Sequence, residues 1–207
     1  MADSMTGINA KDVAELRRRT GAGMMECKKA LAETGGDFEK ATEWLRAHGV
    51  ARADKRADRS AKQGLVEAYV HHAGNIGVLL ELNCETDFVA RTDDFKNLAK
   101  DVAMHIAAAS PAVAQAVSVD QLDPAVVERE KRIFTEQVAQ EGKPEAVRAR
   151  IVEGKLKKFF SEVVLLEQPF VKDDKQTVGE VVKAVSGKTG ENVVVKRFVR
   201  FQLGESV

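Results

Sequence analysis

The spacing of apolar residues changes part-way along this chain of 207 residues, and that change limits the folds that it can adopt. Between residues 8 and 49, apolar side chains recur every three or four positions, as on one face of a helix. From Leu65 they alternate with a period of two, as in a strand, and helical spacing returns at Phe95. The order of these blocks predicts an α+β fold.

The first block predicts a bundle of three short helices. Asn9 is in position to cap the first helix, and Gly21 interrupts its apolar pattern. A second helix is predicted over residues 24–33, and a third begins after Asp37 and ends before Gly49. A bundle of this size buries only a small core and is marginally stable in isolation.

The period-two block predicts a β-hairpin with a turn at residues 73–75. Its second strand places four side chains on one buried face: Val78, Leu80, Leu82 and Cys84. Helices are predicted after it from residue 95 to about 111, from 124 to about 140, from 144 onward and over 176–186. Residues 193–203 predict a last strand that returns to the hairpin. The expected result is a small antiparallel sheet of about three strands, packed by helices.

These patterns divide the chain into three parts. Residues 1–50 hold the bundle, residues 51–63 form a charged linker without apolar periodicity, and residues 64–207 hold the α+β core, its dimerisation surface and the C-terminal segment. A sheet of three strands has two edges, and an unpaired edge can bind a strand of another chain. The last part is therefore a candidate for self-association.

The composition excludes few functions. Lysine and arginine number 32, as do aspartate and glutamate, so no net basic field favours a nucleic acid as the partner. No apolar stretch approaches the ~20 residues of a membrane span, and the N-terminus lacks the pattern of a secretion signal. Cys27 and Cys84 form no CxxC pair, which fits a reducing compartment. We expect a cytoplasmic protein that binds neither nucleic acid nor a membrane.

No group of residues in the sequence has the spacing of a catalytic or metal-binding site. Gly187-Lys188-Thr189 is similar to the end of a phosphate-binding loop, but Val182 stands where that motif requires glycine, so we predict a turn there. Cys84 could be the nucleophile of a thiol hydrolase, yet its alternation with apolar neighbours favours a core thiol. His71 and His72 are adjacent on a strand and face opposite ways. We therefore predict no enzyme, no cofactor and no metal.

Four stretches, in the order that the family has them, resemble elongation factor Ts. They are VAELRRRTGAGMMECKK (13–29), NCETDFVAR (83–91), AMHIAA (103–108), and a closing set of VEGKLKKF (152–159), QPFV (168–171) and RFVRFQLGE (197–205). Long members of this family carry two copies of the sheet-and-helix subdomain. Here NCETDFVAR leads through one helix into AMHIAA, so the chain resembles the short type.

The resemblance implies a guanine-nucleotide exchange factor that binds elongation factor Tu with GDP and promotes release of GDP and Mg²⁺. The residues implied to reach the partner's magnesium and phosphate site are those of TDFV: Thr86, Asp87, Phe88 and Val89. From the residues alone, an alternative is that Asp87 caps the helix beginning near Val89 while Phe88 packs inside the domain. The short type is also implied to form a homodimer whose sheets complete one another.

Further contacts with the partner are implied at four positions: Arg17, Met24, Met25 and His105. Helical spacing places Met24 beside Cys27 on the inner face and turns Met25 roughly 100° away. Met24 is therefore also a candidate core residue, Arg17 an ordinary surface side chain, and His105 a packing residue. Residues 8–49 also resemble ubiquitin-associated domains. A helical-bundle adaptor with a dimerisation module is thus the alternative function.

Overall fold

The computed structural model describes residues 8–109, 113–142 and 144–205, which form a mixture of helices and strands. The helices are α1 (Ala10–Thr20), α2 (Met24–Glu33), α3 (Phe38–Asp54), α4 (Asp87–Ala90), α5 (Asp93–Ala108), α6 (Pro124–Gln140), α7 (Glu145–Val163) and α8 (Val178–Thr189). The strands are β1 (Gln63–Val70), β2 (Ile76–Cys84), β3 (Pro169–Phe170), β4 (Asp173–Thr177) and β5 (Val194–Gln202). The predicted α+β class is confirmed, although the expected helix end near Pro111 lies outside the described residues.

The bundle of α1, α2 and α3 forms because its caps and its apolar spacing agree. The Asn9 side chain accepts the N–H of Asp12 at 2.8 Å, and Gly21 ends α1 in the left-handed conformation with φ 69°. Asp37 caps α3 as predicted. The shared core consists of Val13, Leu16, Cys27, Ala30, Leu31, Ala41 and Leu45.

Two predictions based on glycine were wrong, and both glycines take part in the same close contact. α3 continues through Gly49 to Asp54, and α8 continues through Gly187 to Thr189. A Cβ added at Gly187 would lie 3.0 Å from the Cα of Gly49. These glycines allow two helix backbones to approach each other instead of ending their helices.

The main sheet has the strand order β1-β2-β5. The short turn after β1 makes β1 and β2 antiparallel. The N–H of Leu203 donates to the carbonyl of Asn75, and Arg197 pairs with Glu81, so β5 runs antiparallel to β2. The predicted three-stranded antiparallel sheet is confirmed, with the expected side chains of β2 buried. A separate ribbon of β3 and β4 was not predicted.

The chain divides into two compact units, each made of three segments. The first comprises Met1–Gly64, Asn83–Phe95 and Val182–Val194, and the second comprises Leu65–Leu82, Lys96–Val181 and Val195–Val207. The predicted division into three continuous parts stays a prediction. The first unit contains the bundle, the turn after β2 and most of α8.

Candidate partner-binding surface

The TDFV turn, residues 86–89, joins β2 to the four-residue helix α4. Thr86 has an extended backbone, with φ −126° and ψ 157°, and its hydroxyl accepts the N–H of Val89 at 3.4 Å. Threonine is suited to this position because its oxygen satisfies an amide that has no partner inside the helix. The cap of α4 is thus Thr86, and Asp87 is the first helical residue.

Both side chains at the tip of the TDFV turn face solvent. Phe88 is 78% exposed, so it does not pack inside its own unit. The carboxylate of Asp87 accepts a hydrogen bond from the guanidinium of Arg91 at 2.8 Å, one helical turn along the chain. The turn therefore displays an aromatic ring beside an acid.

The base of the TDFV turn is hydrogen-bonded to Glu191, in the connection between α8 and β5. The Glu191 carboxylate accepts the backbone N–H groups of Glu85 and Thr86, each at 3.0 Å, and the Thr86 hydroxyl at 2.6 Å. Sequence reasoning missed Glu191, because no local motif marks a carboxylate whose partners lie 105 and 106 residues away.

Cys84 lies in the core beneath the TDFV turn. Its thiol is fully buried and donates to the carbonyl of Thr86 at 3.0 Å. Burial, followed by the negative charge of Glu191, raises the pKa of Cys84 to about 11. A thiol with this pKa is almost wholly protonated at neutral pH and is a poor nucleophile, so the geometry favours the core-thiol interpretation.

The bundle residues implied as contacts are exposed, but they line two different grooves. Arg17 and Met24 line a groove with Lys188, whose ammonium lies 2.6 Å from the Asp94 carboxylate. Met25 lines another groove, together with Trp44 and His48. Met24 is 42% exposed and Met25 75%, so Met24 is not in the core: it is the first residue of α2, where the helix has not yet entered the bundle interior.

His105 differs from the other predicted contacts in its unit and its surroundings. It belongs to the second unit and is 5% exposed. Its Nε2 lies 2.9 Å from the Gln168 side-chain oxygen, and its Nδ1 accepts the N–H of Val171 at 3.1 Å. Burial lowers its pKa. These bonds favour the packing interpretation of His105.

Two properties of the described part of the chain bear on function. Across these residues no three His, Cys, Asp or Glu side chains are grouped so as to hold a metal ion. No helix among them combines the length and the apolar character needed to cross a membrane. The described surface includes an exposed ring on a hydrogen-bonded turn and two grooves lined in part by bundle residues.

Comparisons with known proteins agree with one another. Residues 26–205 match the family described as elongation factor TS. The elongation factor Ts of Desulforamulus reducens is 54% identical over 203 residues, covering 98% of this chain and 92% of the relative. That of Fervidobacterium nodosum is 55% identical over 198 residues, covering 96% of this chain and 99% of the relative. By both measures, the chain belongs to the elongation factor Ts family.

Proposed function

We propose that this chain is a guanine-nucleotide exchange factor that binds elongation factor Tu in its GDP-bound form and promotes release of GDP and Mg²⁺, so that GTP can bind. One observation carries the proposal: Phe88 is 78% exposed on a turn whose base is hydrogen-bonded. A phenylalanine left in water forgoes about 2 kcal/mol of burial free energy. Such an exposed ring favours a partner that buries it.

In this proposal the TDFV turn loosens the nucleotide by displacing the groups that hold it. Bound GDP is held around its phosphates and by Mg²⁺, which bridges phosphate oxygens. A ring wedged between packed elements shifts them, because protein cores switch between discrete arrangements and do not stretch continuously. Phe88 is the wedge, and the Asp87 carboxylate disturbs the ligands and waters of the metal. Thr86 and Val89 hold the two in place.

The ion pair of Asp87 is compatible with that role. The carboxylate of Asp87 and the guanidinium of Arg91 are both largely exposed, with relative side-chain exposures of 49% and 76%. Ion pairs at such positions contribute only about 0–1 kcal/mol. A cation on the partner can therefore replace Arg91 at little cost in free energy.

The bundle is proposed to dock the factor on Tu through Arg17, Met24 and Met25. Methionine is flexible and polarisable, so it adapts to the surface it meets. A roughly 10⁴-fold loss of nucleotide affinity corresponds to about 5.5 kcal/mol, which requires a large interface and not one side chain. Because coupling between two binding equilibria is reciprocal, GTP binding weakens the hold of the factor and releases it. No covalent bond changes, so the protein is not an enzyme; its proposed location is the cytoplasm.

The test is the rate of GDP release from Tu, measured by stopped flow with a fluorescent GDP. Phe88→Ala is expected to lower the limiting rate at saturating factor by about tenfold, while affinity for Tu falls less. Equal losses of rate and affinity would make Phe88 only an anchor. Val147→Ala, which shortens another exposed apolar side chain, is the control. A helical-bundle adaptor would bind Tu without accelerating release.

We also propose a homodimer, through a face of the main sheet and not through its edges. Side chains that alternate along β1, β2 and β5 leave one face exposed that carries five apolar residues beside the ion pair of Glu81 and Arg197: Val66, Val70, Leu79, Val199 and Phe201. Apolar sheet faces of this kind commonly pack on a second sheet. Sedimentation velocity should give a dimer for the wild type and a monomer for Leu79→Lys, whereas Val147→Lys should remain a dimer. A wild-type monomer at every concentration would contradict this part of the proposal.

A further inference from the structure

We propose that Glu191 is a positioning residue for nucleotide exchange: its carboxylate sets the orientation of the TDFV turn and thereby of Phe88. The inference rests on the proposed function, since it concerns the same step. Glu191 touches neither nucleotide nor metal in this account. It acts through Thr86, which is 105 residues away in sequence and bonded to it directly.

Three hydrogen bonds converge on the Glu191 carboxylate. One oxygen accepts the N–H groups of Glu85 and Thr86, each at 3.0 Å, and the other accepts the Thr86 hydroxyl at 2.6 Å. Bonds to an ionised acceptor are shorter and stronger than neutral ones. Because two successive N–H groups point at a single oxygen, neither peptide plane can rotate without losing its bond. The backbone entering the TDFV turn is therefore held in one orientation.

The Thr86 hydroxyl carries this constraint into α4. A hydroxyl has one hydrogen and two lone pairs. Since the hydrogen of Thr86 is directed at Glu191, its lone pairs are left to accept the N–H of Val89, at 3.4 Å. Glu191 thus fixes the rotamer of the helix cap, and the cap fixes the first turn of α4, which bears Phe88.

The segment that carries Glu191 is itself anchored. The N–H of Asn192 donates to the Glu85 carboxylate at 2.7 Å, which makes the contact between the two segments reciprocal. The Asn192 side-chain amide donates to the carbonyls of Ala57 at 3.0 Å and Arg59 at 2.8 Å. Glu191 therefore binds the TDFV turn to a segment that is itself hydrogen-bonded to Ala57, Arg59 and Glu85.

Loss of the Glu191 contacts is expected to lower the rate of nucleotide exchange more than the affinity for Tu. Of the four residues of α4 only the small Ala90 is buried, and the Phe88 ring is exposed, so apolar burial contributes little to the orientation of this helix. A turn free to rotate would have to be ordered when it enters the partner, and it could move aside instead of displacing packed elements. Docking through the bundle would continue without it.

The test compares Glu191→Gln with Glu191→Asp in the stopped-flow assay of GDP release from Tu. Glutamine keeps the reach of the side chain: its oxygen can accept both N–H groups, and its amide nitrogen can donate to the Thr86 hydroxyl, so that contact is kept with its direction reversed. Aspartate keeps the charge but is about 1.5 Å shorter. If Glu191 positions the turn, the limiting rate should stay within about threefold of wild type in Glu191→Gln and fall roughly tenfold in Glu191→Asp. The half-saturating concentration should change by less than about threefold in both. The reverse order of the two variants would show that only charge matters and would overturn the inference.

Two companion measurements separate this inference from the function on which it rests. If Phe88→Ala slows release and Glu191→Asp does not, the positioning role is wrong and the exchange function stands. If neither variant slows a release that the wild type accelerates, the roles of both Phe88 and Glu191 are wrong. If the wild type itself does not accelerate release, the exchange function is wrong. Hydrogen exchange at the Glu85 and Thr86 amides should speed up in Glu191→Asp and stay slow in Glu191→Gln. Glu136→Ala, at an exposed glutamate of α6, is the control. Thermal unfolding checks that every variant is folded.

Discussion

The imidazole of His105 donates a buried hydrogen bond of 2.9 Å to the side-chain oxygen of Gln168. The direction follows from the other ring nitrogen, which accepts the N–H of Val171 and so carries no proton. The ring is therefore neutral, and burial lowers its pKa below the usual value of 6.5. A neutral His105 links α5 to the connection between β3 and β4.

We expect this histidine to make stability depend on pH. Because the pKa of His105 is lower in the folded chain than in the unfolded one, the unfolded chain binds the extra proton first as the pH falls. The contribution is complete above pH 6.5 and is lost as the pH falls through the folded-state pKa. The urea unfolding free energy should thus decrease as the pH falls below about 6.5. The decrease should be smaller in His105→Asn, but unchanged in a control, His72→Gln; equal decreases would contradict the assignment.

The two cysteines should be unreactive in the native protein. Burial raises the pKa of both Cys27 and Cys84, in the second case to about 11, so the thiolate fraction of Cys84 near pH 8 is on the order of 10⁻³. A disulfide reagent should modify the thiols slowly in buffer and rapidly in denaturant. Cys84→Ala should leave GDP release almost unchanged, whereas a thiol hydrolase would lose its activity.

Two helical glycines should respond in opposite ways to alanine. In Gly187→Ala the new methyl group would lie 3.0 Å from the Cα of Gly49 and 3.1 Å from its carbonyl oxygen, so two backbones would have to separate. We expect a loss of about 1–3 kcal/mol. Gly154 has open space around it within α7. Gly154→Ala should therefore stabilise by about 0.5–1 kcal/mol. Chemical denaturation of both variants measures the difference.

Two further variants should show that different residues of the bundle determine its stability and its binding to Tu. Leu16 is fully buried, so Leu16→Ala should cost about 3 kcal/mol in stability. Met25 is 75% exposed, so Met25→Ala should leave the melting temperature unchanged and weaken binding to Tu. Calorimetric unfolding, paired with titration of Tu, gives both quantities. A loss of stability in Met25→Ala would show that its side chain packs within the bundle.

Local patterns predicted most of the elements, and the errors came from contacts between distant segments. Caps at Asn9 and Asp37 were predictable because their partners lie within three residues. The sequence wrongly predicts helix ends at Gly49 and Gly187, because a glycine that allows close packing and one that ends a helix look the same in sequence. Helical spacing predicts Met24 on the inner face, but the first turn of α2 lies before the bundle interior and Met24 is 42% exposed.

The sequence by itself determined the period of each block, the capped helix ends, the buried face of β2 and the family to which the chain belongs. These properties depend on residues that are close together in sequence or on complete sequence motifs, and both can be recognised directly in the sequence. Only the tertiary structure decided that Phe88 stands in solvent, that His105 is enclosed and that Glu191 holds Thr86. Those facts depend on which distant segments meet, and the residues next to Glu191 in sequence do not indicate that its partners lie 105 and 106 positions away.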